Sequence, residues 1–122
     1  MSNPVNNALE QLASVDGFIA GAIGNSASGM VMGSQGGSDK FNVEVAVAAN
    51  TEVVKAKNRA MKALKLSGGI EDILITLTDQ YHLIRPLKSH PEIFLYLAVD
   101  RSRANLAMAR FTLSEAESAM KL

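Results

Sequence analysis

Cysteine is missing from all 122 residues, which excludes disulfide frameworks, thiolate metal sites and cysteine nucleophiles together. Tryptophan is missing too, and only two Tyr and four Phe are present, so a core must be built from Leu, Ile, Val, Ala and Met. Net charge is missing: 12 Lys and Arg balance 12 Asp and Glu. No overall field draws the chain to nucleic acid or to an anionic membrane, and a partner must be recognised by shape. Long apolar runs are missing as well. Stretches such as "IFLYLAV" fall far short of the roughly 20 residues that cross a bilayer, and "MSNPVNNALEQL" lacks the positive start and apolar block of a signal peptide. The expectation is a soluble cytoplasmic protein from a reducing compartment. It folds as one domain over residues 1–122, long enough to bury a core without staples.

What is present is organised by punctuation. Asn3-Pro4 marks a helix start, because Asn can cap and Pro at the first helical position gives up a donor that was unpaired anyway. Val5, Ala8, Leu9 and Leu12 then recur at helical spacing until a stop near Asp16-Gly17. "FIAGAIG" and "GMVMGS" flank "NSAS" as a hairpin with a longer loop, and "GSQGGSD" is a connector. From Phe41 to Leu66 no Pro or Gly interrupts, and "SGG" at 67–69 ends a long helix. A strand follows with Ile73, Ile75 and Leu77 on one face and Leu74, Thr76 and Thr78 on the other. The chain reverses around Asp79-Gln80 and returns from Tyr81 towards Arg85, with Pro86 at the end. "IFLYLAV" is apolar at every position, the pattern of a central strand covered on both faces. Beyond Asp100, Leu106, Ala109, Leu113, Ala116 and Met120 form one helical stripe.

The long helix carries more apolar surface than one sheet face requires. At about 100° per residue, Val43, Val47, Val54, Met61 and Leu64 line one stripe of large residues suited to a sheet. Ala49, Val53, Ala56, Ala60 and Ala63 line a second, of small residues that let two helices approach closely. Glu44, Thr51, Glu52, Lys55, Arg59 and Lys62 fill the remaining arc, while Asn50 and Lys57 interrupt the apolar part. A sheet face needs only about 100° of the circumference. The Ala/Val stripe is therefore either a wet face of good helix formers, or covered by a neighbouring helix of the same chain, or covered by the same helix of a second copy. The last is favoured, because isologous dimers are the commonest oligomers.

Chemistry-bearing patterns are weak. His82 and His90 stand near Asp79, Arg85 and Glu92, but no His-x-x-x-His pair or carboxylate cluster accompanies them. "GNSASG" misses the Gly-x-Ser-x-Gly spacing of a nucleophile elbow, and "GSQGGSDKF" separates its Gly and Lys by Ser-Asp, unlike a phosphate-cradling loop. "KAKNRAMKALK" at 55–65 holds five basic residues, which suit a helix C-terminus by complementing its dipole. With Glu44 and Glu52 towards the other end they make a polarised ridge. The expectation is no enzyme, no catalytic residue, no cofactor and no metal.

The succession of "VDGFIAGAIGNSASGMVMG" after a first helix and "GGIEDILITLTDQYHLIRPL" after a long second one resembles the roadblock / dynein light chain family over essentially the whole chain. The strings "EDILITL", "QYHLIRPL" and "FLYLAVDRSRANLAMAR" look most like small free-standing bacterial members of actinobacterial type. The resemblance implies a profilin-like sandwich of order αββαβββα, with a five-stranded antiparallel sheet, the long helix on one face and the two terminal helices on the other. It implies a homodimer in which long helices lie side by side and the strand after them pairs with its mate. Here that edge strand would be Glu71 to Thr78, and the interface Ala49, Val53, Ala56, Ala60, Ala63, Ile73 and Ile75. It further implies a non-enzymatic regulator or scaffold for a small Ras-like GTPase, with the polar arc of Glu44, Thr51, Glu52, Lys55, Arg59 and Lys62 facing the partner. Arg59, Arg85, Arg101 and Arg103 are available as fingers. Two other functions fit such a chain: a structural adaptor for another protein, and a small-molecule sensor.

Overall fold

Every helix opens on an asparagine. In this computed structural model, which describes residues 3–120, Asn3 Oδ1 accepts the Val5 amide at 2.9 Å ahead of α1 (Pro4–Ala13). Asn42 Oδ1 does the same for Val45 at 3.1 Å ahead of α2 (Val43–Ala63), and Asn105 Oδ1 for Met108 at 3.1 Å ahead of α3 (Leu106–Ala119). Each cap satisfies an amide that the helix leaves unpaired, a contribution of about 1 kcal/mol. Between the helices lie β1 (Phe18–Asn25), β2 (Met30–Gly36), β3 (Ile73–Thr76), β4 (Gln80–Pro86) and β5 (Ile93–Asp100), completing the order αββαβββα. No helix among the described residues is long and apolar enough to cross a membrane.

The strands form one antiparallel sheet in the order β2-β1-β5-β4-β3. β5 is central and buried from Ile93 to Val99, as its unbroken apolar run requires. Successive side chains point to opposite faces, which divides the interior into two cores. Leu95, Leu97 and Val99 join Ile23 and Leu83 beneath α1 and α3, meeting Leu9, Leu12, Ala109 and Leu113. Phe94, Tyr96 and Ala98 join Ala20, Ala22 and Ile84 beneath Val43, Val47 and Val54 of α2. The architecture is the profilin-like sandwich, with the long helix on one face and the terminal pair on the other. Close approach depends on glycine: a Cβ on Gly24 would lie 2.7 Å from Val47 Cγ1 and 2.8 Å from Phe94 Cζ. Gly33 does the same for α1, where a Cβ would lie 2.8 Å from Val5 Cγ1.

Several expectations are corrected. The edge strand runs only from Ile73 to Thr76, not from Glu71 to Thr78. Asp72 turns towards α3, where Arg110 Nε holds its carboxylate at 3.2 Å, and Leu77 N donates to Gln80 O at 2.9 Å, closing the hairpin early. Leu64, assigned to the sheet-facing stripe, is 65% exposed. α2 seats on β1 and β2 through its first half, and from Lys55 to Ala63 no residue is buried, with Met61 alone half-buried. Thr51, assigned to the solvent arc, is buried. Its hydroxyl donates to Val47 O at 2.9 Å, and this bond to the preceding turn lets it enter the core without water.

Candidate functional site

α2 leaves two of its three arcs uncovered. Of the small-residue stripe, Ala49, Ala56, Ala60 and Ala63 are exposed and Val53 is half-buried. Val45, one turn before Ala49, extends this stripe and is 64% exposed. The spacing Val45, Ala49, Val53 is the signal in the sequence that adds Val45 to the stripe. On the same side of the sheet, Ile73 and Ile75 of β3 are half-buried at the margin of the core that Val53 also borders. Among the described residues no strand pairs with the outer edge of β3. The structure thus brings the Ala/Val stripe and the two isoleucines to one side of the sheet, beside an open edge.

The polar arc is sorted by charge. Glu44, Glu52, Lys55, Arg59 and Lys62 are all exposed, with Glu44 in the first turn and Lys62 in the last, where each complements the helix dipole. None of the five takes part in an ion pair among the described residues.

Asn50 accounts for the break in the apolar arc. It is buried, and its side-chain amide faces the Tyr96 hydroxyl. That hydroxyl lies 3.3 Å from His82 Nδ1, and His82 Nε2 lies 2.7 Å from Gln80 Oε1. A neutral imidazole protonated at Nε2 satisfies both contacts: it accepts from Tyr96 and donates to Gln80. Phe41 and Tyr96 both meet the His82 ring edge to face, with centroids 6.0 and 5.6 Å away. Burial pushes the Tyr96 phenol up to about 12, against the opposing influence of the Asn50 amide, and burial likewise lowers His82. His82 is therefore a neutral link in a polar chain beneath α2. Among the described residues no group of three or more His, Asp or Glu is placed to hold a metal ion.

Asp79, His82 and Arg85 do not converge. Asp79 lies in the turn before β4, and alternation along β4 sends His82 to the α2 face and Arg85 to the α3 face. There Arg85 Nε donates to Glu117 Oε1 at 2.6 Å, while Lys88 N donates to Glu117 Oε2 at 2.9 Å. Burial resists ionisation of Glu117, but the Lys88 amide and the Arg85 guanidinium together outweigh it and hold the carboxyl below its ordinary value. Arg85 is thus committed to a structural pair and withdrawn from the exposed arginines. Arg101 stacks on Tyr81 at 5.3 Å and donates to Leu77 O at 3.0 Å, while Arg59 and Arg103 stay in solvent.

Neither a protein-family model nor a curated protein matches the sequence. The fold has counterparts among solved structures. It is similar to Myxococcus xanthus MglB at a TM-score of 0.81 and 12% identity, covering 94% of this chain and 89% of that one. It is similar to a Roadblock/LC7 domain from Streptomyces avermitilis at 0.76 and 9% identity, covering 95% and 90%. A chain of the LokiProfilin2–rabbit actin complex matches at 0.61 and 17% identity, covering 97% and 96%. The chain has the roadblock fold, and with it the profilin-like architecture that its sequence resemblance implied.

Proposed function

We propose that this roadblock-fold chain is a non-enzymatic homodimeric regulator or scaffold for a small Ras-like GTPase. The observation that carries the dimer is the second half of α2: nine residues, Lys55 to Ala63, none of them buried. They continue a largely exposed Val45–Ala63 stripe on the side of the sheet where Ile73 and Ile75 of the edge strand β3 border the same core as Val53. A helix half without packing is marginal by itself, and an open strand edge invites pairing. A second copy across a two-fold axis answers both. Side-by-side helices related by a perpendicular two-fold run antiparallel, so Glu44 and Glu52 of one copy approach the basic half of the other. The charge segregation of α2 is thereby self-complementary.

The GTPase rests on the family resemblance together with the ridge of Glu44, Glu52, Lys55, Arg59 and Lys62, from which Thr51 is now dropped. With no catalytic group assigned, the dimer acts by positioning the partner's own residues. The adaptor alternative uses the same surface with a different protein. A small-molecule sensor would need space between α2 and the sheet: at Gly24 there is no room for one methyl carbon, whereas a cleft of about 440 Å³ opens by the second half of α2, lined by Asn58, Ile70, Glu71, Pro86 and Leu87.

The test combines light scattering with a binding titration. Ala60→Glu should yield monomers, because an unpaired charge buried in an interface costs about 3–5 kcal/mol. The Lys55→Glu/Arg59→Glu variant should bind a GTPase captured from the native cell more than tenfold more weakly than wild type, in one nucleotide state, with its melting curve nearly unchanged. A dimeric Ala60→Glu would remove the helix contact. Equal GTPase affinities would remove the ridge.

A further inference from the structure

The face opposite α2 carries a cleft of about 470 Å³ between the end of β4 and the last turns of α3, lined by Arg85, Lys88, Ser89, Ser114, Glu117 and Ser118. Arg85 sits at its base and is 7% exposed. Its Nε is spent on Glu117 Oε1, and the second oxygen of Glu117 is spent on the Lys88 amide. The two terminal nitrogens of Arg85 have no hydrogen-bond partner among the described residues. Among the described residues Gln11 Oε1, on α1, is the one buried side-chain polar atom without a partner, so neither terminal nitrogen of Arg85 is sealed from solvent. Arg85 lines the cleft, and it is from there that solvent reaches them.

Around this fork the polar groups other than Glu117 are donors, set beside the apolar Leu87 and Met120. Lys88 contributes an ammonium, and Ser114 and Ser118, one helical turn apart on α3, contribute hydroxyls with no side-chain hydrogen bond among the described residues. Ser89 Oγ has only the imidazole of its neighbour His90, at 3.1 Å. Two cations against the one carboxylate of Glu117 leave the cleft with a single positive charge in excess. A planar guanidinium with two free terminal nitrogens grips two oxygens of an oxyanion side by side. An ammonium and hydroxyls arranged about it supply donors for the remaining oxygens of a tetrahedral group, more than a planar carboxylate can use.

We propose that this cleft binds a phosphate group, held by the terminal nitrogens of Arg85 and by Lys88, Ser114 and Ser118. Glu117 holds the Arg85 fork in place from behind. The cleft is more than ten times the roughly 30 Å³ that one water occupies, so a phosphate at its base leaves room for the organic part of a monoester. The site lies on the α1/α3 face and is independent of the α2 surface proposed for dimerisation.

Titration with inorganic phosphate and with glycerol 3-phosphate, followed by amide and arginine side-chain nitrogen NMR signals, tests this. Saturable shifts confined to Arg85, Lys88, Ser114 and Ser118 are expected, weakening as salt is raised. Tighter binding of glycerol 3-phosphate identifies an ester as the occupant, and tighter binding of inorganic phosphate identifies the free ion. Lys88→Gln and Ser118→Ala, both at exposed positions, should each weaken binding about five- to tenfold without loss of fold, and Ala60→Glu should leave it unchanged. No saturable shift at millimolar concentrations, an equal response to acetate at matched ionic strength, or undiminished binding by both cleft variants would overturn the assignment.

Discussion

Replacing Glu117 by Leu strips the counter-charge from an arginine that is almost wholly inside the protein. The Nε–Oε1 distance is 2.6 Å and the two side chains are 8% and 14% exposed. Removing one partner of a buried pair costs about 3–5 kcal/mol, because the remaining charge has lost its water and now lacks its partner. The terminal nitrogens of Arg85 keep some access to solvent, which places the expected loss at the low end, about 3 kcal/mol. The Lys88 amide also loses its acceptor, but in an exposed turn water replaces it. An unfolding entropy of about 2.1 cal/mol/K per residue gives about 0.26 kcal/mol/K for 122 residues, so Tm should fall by about 12 °C. Arg85→Met combined with Glu117→Leu leaves no orphaned charge and should lie within about 1 kcal/mol of wild type. Glu117 also predicts a pH signature. Its folded pKa lies below the ordinary 4.5, so its contribution is fully present above that value and is lost as pH falls through the folded value. The stability difference between wild type and Glu117→Gln should hold constant at neutral pH and shrink below about 4.5. Urea unfolding followed by circular dichroism, at fixed protein concentration and over a pH series, measures all of this. A single variant within about 0.5 kcal/mol of wild type, or a double variant as unstable as the single, would refute the reasoning.

Tyr96→Phe removes the hydroxyl that meets the half-buried His82 Nδ1 and should cost about 1 kcal/mol in the same denaturation assay. In Tyr81→Phe, where Tyr96 is the remaining tyrosine, ultraviolet titration should show ionisation at about 12 or together with unfolding. Stability should decline as pH rises past 10, since the folded state retains the proton, and a reversible midpoint near 10 would mean that the phenol meets water. Gly24→Ala drives a methyl to 2.7 Å from Val47 Cγ1 and should cost about 1–3 kcal/mol. Adding Val47→Ala, which deletes the atom struck, should recover part of the strain, and equal stability of Gly24→Ala and wild type would show that α2 shifts freely on the sheet.

The sequence by itself determined what is local or periodic. Asn3-Pro4 sets the start of α1, the apolar "IFLYLAV" makes β5 central, and Leu106, Ala109, Leu113, Ala116 and Met120 aim α3 at the sheet. These signals suffice because a cap, a two-residue alternation and a helical repeat each act within a few residues. They also place Ala49, Val53, Ala56, Ala60 and Ala63 on one stripe, since angles between residues of one helix are fixed by its pitch. Pitch does not fix the rotation of that helix on its sheet. Only the tertiary structure decided that Thr51 and Asn50 turn inward, that Leu64 stays in solvent, and that contact ends near Lys55. Tyr96 must be seated beneath α2 before the polar residue in the apolar arc has a polar group to face. Arg85 and Glu117 stand 32 residues apart, and no pattern in either segment announces the other. Their pairing comes from strand alternation on one side and helix rotation on the other, two phases that are set only when the elements pack.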